Sequence, residues 1–270
     1  MKSIIETIRN RESVRTYDGK GLSRDEVDKI ENFIRQIKVP FGADARMELI
    51  RAGVTDGEKV KLGTYGYISG ATDYIALIYK EEAPFAAEWA SYMFEEAVLF
   101  CTALGLGTCW LGGSFNRKDF KGRVELKSGE VLRIVSPVGH RGEKKRLFES
   151  VMGFNKKKPR KPFGDIFFDG NFSKPLTEKE AGIYSQPLEM VRLGPSANNK
   201  QSWRVVKEGD ILHFYETASF GFSSIDMGIA LCHFELTCKE LDIKGNFEFC
   251  NMPDVNSAKY AVSWRSATEM

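Results

Sequence analysis

Two helix-capping boxes 154 residues apart constrain this chain more than any other feature. Ser23-Arg24-Asp25-Glu26 and Thr177-Glu178-Lys179-Glu180 each set a hydroxyl residue three positions before a glutamate, and each follows a leucine, Leu22 and Leu176. Such a box satisfies the exposed backbone amides that open a helix. Ser23 pairs with Thr177 (177 − 23 = 154) and Pro40 with Pro195 (195 − 40 = 155). Farther on, Cys101-Thr102-Ala103-Leu104 pairs with Cys238-Lys239-Glu240-Leu241 (238 − 101 = 137). The offset drops by 18 between those points, so a second copy would lack a central segment. The shared order is helix, strand, strand, helix, an order that unrelated α+β chains also use.

The local patterns supply the elements. Residues 3–9 read as a short helix, and Val27, Ile30, Phe33, Ile34 and Ile37 keep helical spacing until Pro40 and Gly42. Residues 47–50 and 74–79 read as strands. A long helix starts near Pro84 and runs to about Leu104, and 131–135 is a strand that Pro137 and Gly139 should end. Residues 155–162 are basic and proline-bearing, which excludes a helix or a central strand. Strands at 203–206 and 211–215, a helix at 225–241, and strands at 247–249 and 260–264 complete the second copy. The expectation is an α+β chain of mixed sheets flanked by helices, divided into 1–168 and 169–270 and packed as one unit.

Composition narrows the function. A net charge of +2 in 270 residues argues for neither nucleic acid nor a membrane surface. No apolar run approaches the roughly 20 residues of a membrane span, and the charged start does not read as a secretory signal. Five cysteines without a Cys-x-x-Cys pair fit neither a disulfide framework nor a zinc site, and the three histidines lack metal-binding spacing. The expected compartment is a reducing cytoplasm, with no metal.

Four segments could carry chemistry. In Arg11-Glu12-Ser13-Val14-Arg15, with Arg9 before it, alternation turns residues 11, 13 and 15 to one side, and guanidinium forks plus a hydroxyl suit a phosphomonoester. A solvated helix end would look similar. Gly105-Leu106-Gly107-Thr108-Cys109-Trp110-Leu111-Gly112-Gly113 lets backbone approach a planar ligand, or simply caps a helix. Lys158-Pro159-Arg160 is a cationic linker, and solvated charge is its simplest reading. Gly194-Pro195-Ser196-Ala197-Asn198-Asn199-Lys200-Gln201-Ser202-Trp203 offers amide donors and acceptors at Asn199 and Gln201, or forms a polar turn.

Together and in this order the four segments resemble the FMN-dependent nitroreductase family, and the whole chain most resembles a divergent tandem-repeat subfamily of it. Arg11 to Arg15 resembles the family's Arg-x-Ser-x-(Arg/Lys) run on FMN phosphate and ribityl. Pro195-Ser196-x-x-Asn199-x-Gln201-x-Trp203 is similar to the segment along the isoalloxazine, with Ser202 where proline is usual. Trp110-Leu111-Gly112-Gly113 looks like the loop whose amide faces flavin N5, and Lys158-x-Arg160 like the pair that completes the phosphate site. The resemblance implies a nitroreductase-like fold and a cytoplasmic FMN oxidoreductase. It would use NADH or NADPH to reduce a small electron-poor acceptor, a nitroaromatic or quinone, in ping-pong order. No side chain is expected to act as the acid or base. A flavin-binding protein without turnover, serving storage or redox sensing, is the alternative.

One departure is informative. Family members carry the Pro-Ser-Asn segment soon after the first capped helix, where this chain has Pro40-Phe41-Gly42-Ala43-Asp44-Ala45-Arg46. Conversely, nothing like Arg-x-Ser-x-Arg precedes Leu176, and Phe247-Glu248-Phe249-Cys250 stands opposite Trp110-Leu111-Gly112-Gly113. Nitroreductases are typically homodimers with two shared flavins, so the resemblance implies a monomer built as an intramolecular pseudo-dimer with one FMN. Trp89 and His233 read as interior residues, Asp226 as a partner of a helix dipole, and Tyr65 and Gly66 have no assigned role.

Overall fold

A computed structural model describes residues 3–38, 40–51, 62–143, 159–217 and 221–267. Two compact units emerge: Asn10–Lys157, and Lys158–Met270 together with Lys2–Arg9. Helix α1 (Ile4–Asn10) thus falls largely with the second unit, held there by Ser3 Oγ, which donates to Glu240 Oε1 at 2.6 Å.

In the first unit the capping box forms as read. Ser23 Oγ accepts from the Glu26 amide, Glu26 accepts from the Ser23 amide, and α2 (Arg24–Gln36) follows. Leu22, Val27 and Ile30 are buried. Helix α2 meets α3 (Ala86–Ala103) through Phe33 and Phe100, stacked at 3.9 Å. The sheet holds β1 (Ala45–Arg51), β2 (Asp73–Lys80), β3 (Gly107–Thr108) and β4 (Glu130–Gly139) in the antiparallel order β1-β2-β4-β3. Residues Tyr74, Ala76 and Ile78 of β2 join a core with Val14, Tyr17 and Phe120. The alternate residues point to the opposite face, and α3 packs on this strand. Helix α4 (Arg117–Lys121) is capped by Asn116.

Strand β4 passes Pro137 and ends at Gly139, the second of the two residues expected to stop it. Proline brings no ladder amide, and the neighbouring hydroxyl compensates. Ser136 Oγ accepts from the Cys109 amide at 3.0 Å and donates to the Pro137 carbonyl at 2.9 Å.

The second unit orders its strands β5-β6-β7-β9-β8. These are β5 (Phe167–Asp169), β6 (Trp203–Glu208), β7 (Ile211–Thr217), β8 (Gly245–Glu248) and β9 (Ala258–Ser266), and β5, unread from sequence, pairs in parallel with β6. The Thr177 box opens a short α5 (Glu178–Ala181), and a 3-10 turn leads into α6 (Ser185–Leu193). The long α7 (Ser223–Glu240) packs on α6. Trp203, Phe214, Phe234 and Trp264 are fully buried here, each contributing roughly 1.5–3 kcal/mol by removal from water.

Apart from β5, the two sheets repeat one plan. Strands β1-β2-β4-β3 correspond to β6-β7-β9-β8, with the long helix following the second strand in each. Helix α7 starts and ends 137 residues after α3 (223 − 86 = 137; 240 − 103 = 137). Even a register shift recurs, between Leu77 and Ile78 in one sheet and between Phe214 and Tyr215 in the other (214 − 77 = 137). A bulge disrupts a ladder and is a specific feature, so its recurrence at the same offset supports duplication more strongly than element order. The missing segment also has an address. Residues 52–72 join β1 to β2, whereas Gly209 and Asp210 join β6 to β7.

Candidate functional site

The Arg11–Arg15 run is not a solvated helix end. Its backbone is held by hydrogen bonds from Val14 N–H to Thr108 O (2.8 Å), Ser69 N–H to Arg15 O (2.9 Å), Tyr17 N–H to Ser69 O (2.8 Å) and Gly142 N–H to Thr16 O (2.9 Å). Val14 enters the core, while Arg11, Ser13 and Arg15 are half-buried. Ser13 bridges Thr108 directly, which sets the run beside the glycine segment. Gly107 permits that approach, because a Cβ there would lie 2.7 Å from Val14 Cγ2. Glu12 is exposed and paired with Arg141, so its side chain departs from the wall expected of it.

Arg11 is the unusual member. Its Nε is buried without a hydrogen-bond partner among the described residues. Burial lowers its pKa, and the nearby Glu95 charge works in the opposite direction. Glu95 lies fully buried on α3 and accepts a 2.7 Å hydrogen bond from Trp110 Nε1. One carboxylate therefore orients the glycine turn and offsets the charge of the arginine. Leu111 is locked to Val135 by two backbone hydrogen bonds of 2.9 and 3.1 Å. Among the described residues no hydrogen bond takes the Gly112 or Gly113 amide. The result is a surface of half-buried cations, a hydroxyl and open backbone donors, suited to an anionic oxygen-rich ligand.

The second unit gathers the other two motifs. Lys158 lies outside the described residues. Arg160 donates to Asn199 Oδ1 and, at 2.9 Å, to Leu193 O, while Asn199 Nδ2 donates to Pro159 O at 3.0 Å. Gln201 is fully buried: its Oε1 accepts from Lys161 N–H at 2.7 Å and its Nε2 donates to Arg192 O at 3.0 Å. Ser196 Oγ accepts from the Gln201 amide at 2.9 Å. Here the sequence expectation changes. Asn199 and Gln201 do not present free amides to a ring edge; they hold the loop and the 159–161 segment together. That bracing fits the backbone, since Asn198, Asn199 and Gln201 all have positive φ (52°, 60° and 49°). Pro195 is buried at the base of the same loop.

Asp226 was under-read. Beyond its place in the first turn of α7, its carboxylate accepts from Ala197 N–H and Ser202 Oγ, both at 2.9 Å. Burial pushes its pKa up to about 7. Lys161, Lys200 and Arg204 add positive charge around the loop: burial, then Arg204, lower the Lys161 pKa, with Lys200 acting in the same sense. A carboxylate among apolar neighbours in a long helix was the available signal for both Glu95 and Asp226. His233 is interior as expected, its Nδ1 2.9 Å from Met190 O.

Comparisons with known proteins bear on the fold and the family. The chain superposes on a nitroreductase structure from Thermotoga maritima with a TM-score of 0.62 at 21% identity, covering 98% of this chain and 93% of that one. An FMN-dependent nitroreductase from Clostridium difficile gives 0.42 at 20% identity, over 53% and 90% of the two chains. A nitroreductase with bound FMN from Bacteroides fragilis gives 0.43 at 18%, over 60% and 96%. A search of curated proteins returned no match. No helix among the described residues is long and apolar enough to cross a membrane. Residues 3–238 match the family model described as "Putative TM nitroreductase", so the chain belongs to that nitroreductase family and has the nitroreductase fold.

Proposed function

We propose that the chain is an FMN-dependent oxidoreductase that uses NADH or NADPH to reduce a small electron-poor acceptor. The observation that carries this reading is the buried Arg11 guanidinium with its unpartnered Nε, set in one wall with Ser13, Arg15 and the open Gly112 and Gly113 amides. A phosphomonoester is the ligand whose charge and acceptor count match that donor set. Lys158 and Arg160 would add to the phosphate site. The loop from Pro195 through Ser196, Asn199 and Gln201 would lie along the ring, shaped by its internal ties and by Asp226. Trp110 and Leu111 fix the glycine turn, so that its amides meet the ring without reorganising.

The chemistry supplied by bound flavin is hydride transfer from the nicotinamide to a nitroaromatic or quinone, in ping-pong order. The protein's part is binding, orientation and electrostatics. The repeated topology, with each motif kept in one copy and lost in the other, supports a monomeric pseudo-dimer with one FMN per chain. Five reduced cysteines suit cytoplasmic action.

Titration of the purified chain with FMN should saturate at one flavin per chain, and NADH or NADPH should bleach the flavin absorbance. Two flavins per chain would refute the single-site reading. Binding without bleaching would mark a flavin carrier. Arg15→Ala should weaken FMN binding by about 1.5–3 kcal/mol, the range for a hydrogen bond to a charged group.

A further inference from the structure

The connection between β1 and β2 is present in the unit that keeps the arginine run, while its counterpart is the two-residue link Gly209-Asp210. Joining the strands therefore does not require it. Its described part is fastened at one end to α4 and its cap, and at the other to the arginine run. At one end Gly63 N–H donates to Asp119 Oδ2 (2.9 Å) and Asn116 N–H to Gly63 O (2.7 Å), in the stretch just after the Gly112-Gly113 turn. At the other, Ser69 exchanges backbone hydrogen bonds with Arg15 and Tyr17.

Between these anchors, Tyr67 N–H donates to Thr64 O at 2.8 Å and closes a four-residue turn. Its central residues, Tyr65 and Gly66, have φ of 47° and 79°. Two positive values define a turn that favours glycine and asparagine. A tyrosine pays about 1–2 kcal/mol for that conformation, and with the residue 65% exposed it gains little burial in return. Strain of this kind persists where the surroundings over-determine it, and such places cluster at ligand sites.

We propose that Tyr65 is an acceptor-contacting residue whose ring stacks on the planar, electron-poor substrate; this rests on the flavin reading above. A strained turn anchored at both ends holds the ring on a short, stiff support. The electron-rich phenol face complements an electron-deficient ring.

Three proteins test it: wild type, Tyr65→Phe, and Tyr65→Gly, which removes the ring while relieving the positive φ. Each is titrated with FMN, then with benzoate as an unreactive planar analogue by calorimetry. Each is then assayed with a planar nitroaromatic and with ferricyanide. Tyr65→Gly should raise the benzoate Kd and the nitroaromatic KM about three- to tenfold, leave ferricyanide and FMN affinity unchanged, and Tyr65→Phe should match wild type. Unchanged benzoate and nitroaromatic values in Tyr65→Gly would overturn the assignment, as would an equal loss for ferricyanide or weakened FMN binding. A wild-type chain that takes up no FMN would instead remove the flavin reading, and the Tyr65 role with it.

Discussion

Helices α3 and α7 hold equivalent places in two sheets of the same order, yet their interiors are opposites. Where α3 has Glu95, hydrogen-bonded to Trp110, α7 has the buried Cys232, and Phe247 stands for the tryptophan, its ring packed edge-on against Trp264 at 5.1 Å. Where α7 has Asp226 bracing the Pro195 loop, α3 has Trp89, stacked on Phe41 at 4.5 Å. Each carboxylate lies in the unit that carries the adjoining motif, and each apolar counterpart in the unit without it. Burying a charge is unfavourable unless it is well partnered. The difference therefore teaches that these carboxylates organise the two motifs, and that apolar filling prevails where no motif needs organising.

The largest effect should come from breaking the contrast between the two connections. Gly70 has φ 76°, and a Cβ there would lie 2.3 Å from the Tyr17 carbonyl oxygen. Gly70→Ala should cost about 3–5 kcal/mol from backbone strain plus overpacking, read as a shifted urea midpoint. Gly209 in the short link has φ 58° with open space around it, so Gly209→Ala should cost only about 1 kcal/mol. Equal losses would show that the long connection is not clamped to the arginine run.

Asp226 sharpens the comparison through pH. Its carboxyl titrates near 7 in the folded chain against 3.8 in the unfolded one. Between those values the folded chain holds a proton that the unfolded chain has released, so this group's contribution to stability falls as pH rises through the window. The span corresponds to roughly 4–4.5 kcal/mol at about 1.4 kcal/mol per unit. Asp226→Asn keeps a carbonyl acceptor and an amide donor but cannot ionise. Its unfolding free energy should equal that of wild type near pH 4 and exceed it at pH 8. A variant that loses stability equally at both pH values would contradict the assignment.

What the sequence made legible was chiefly local. The capping boxes depend on residues three apart and formed as read, and the 137-residue offset landed on both ends of the long helix. Strand β4 continues past Pro137 to Gly139, and the hydroxyl beside the proline meets Cys109, a contact fixed by tertiary pairing. Strand β5 was missed because three residues carry no periodicity, and its parallel partner lies some 40 positions away. The internal ties of Asn199 and Gln201 were hidden for a related reason. Amide residues in a motif look available until the fold shows that Arg160, Lys161 and Arg192 already occupy them. Glu95 and Asp226 were visible as charges among apolar neighbours, but their partners were not.

The smallest effect is the most direct test of what the Glu95–Trp110 pair contributes. Installing the second copy's residues, Glu95→Cys and Trp110→Phe, separately and together, forms a double-mutant cycle. Each single change breaks the pair from one side: the indole N–H loses its acceptor, or the carboxylate loses the indole donor. Removing both leaves neither, so the double variant should be more stable than the sum of the singles by about 1–2 kcal/mol, within the range for contacting pairs. The cycle also separates stability from ligand binding. Both variants that carry Glu95→Cys deprive Arg11 of the charge that counters its burial, and both should lose FMN affinity, whereas Trp110→Phe alone should lose less. Additive stabilities would mean that the pair does not act as a unit, and unchanged FMN affinity in the double variant would show that the polar interior of α3 does not serve the ligand wall.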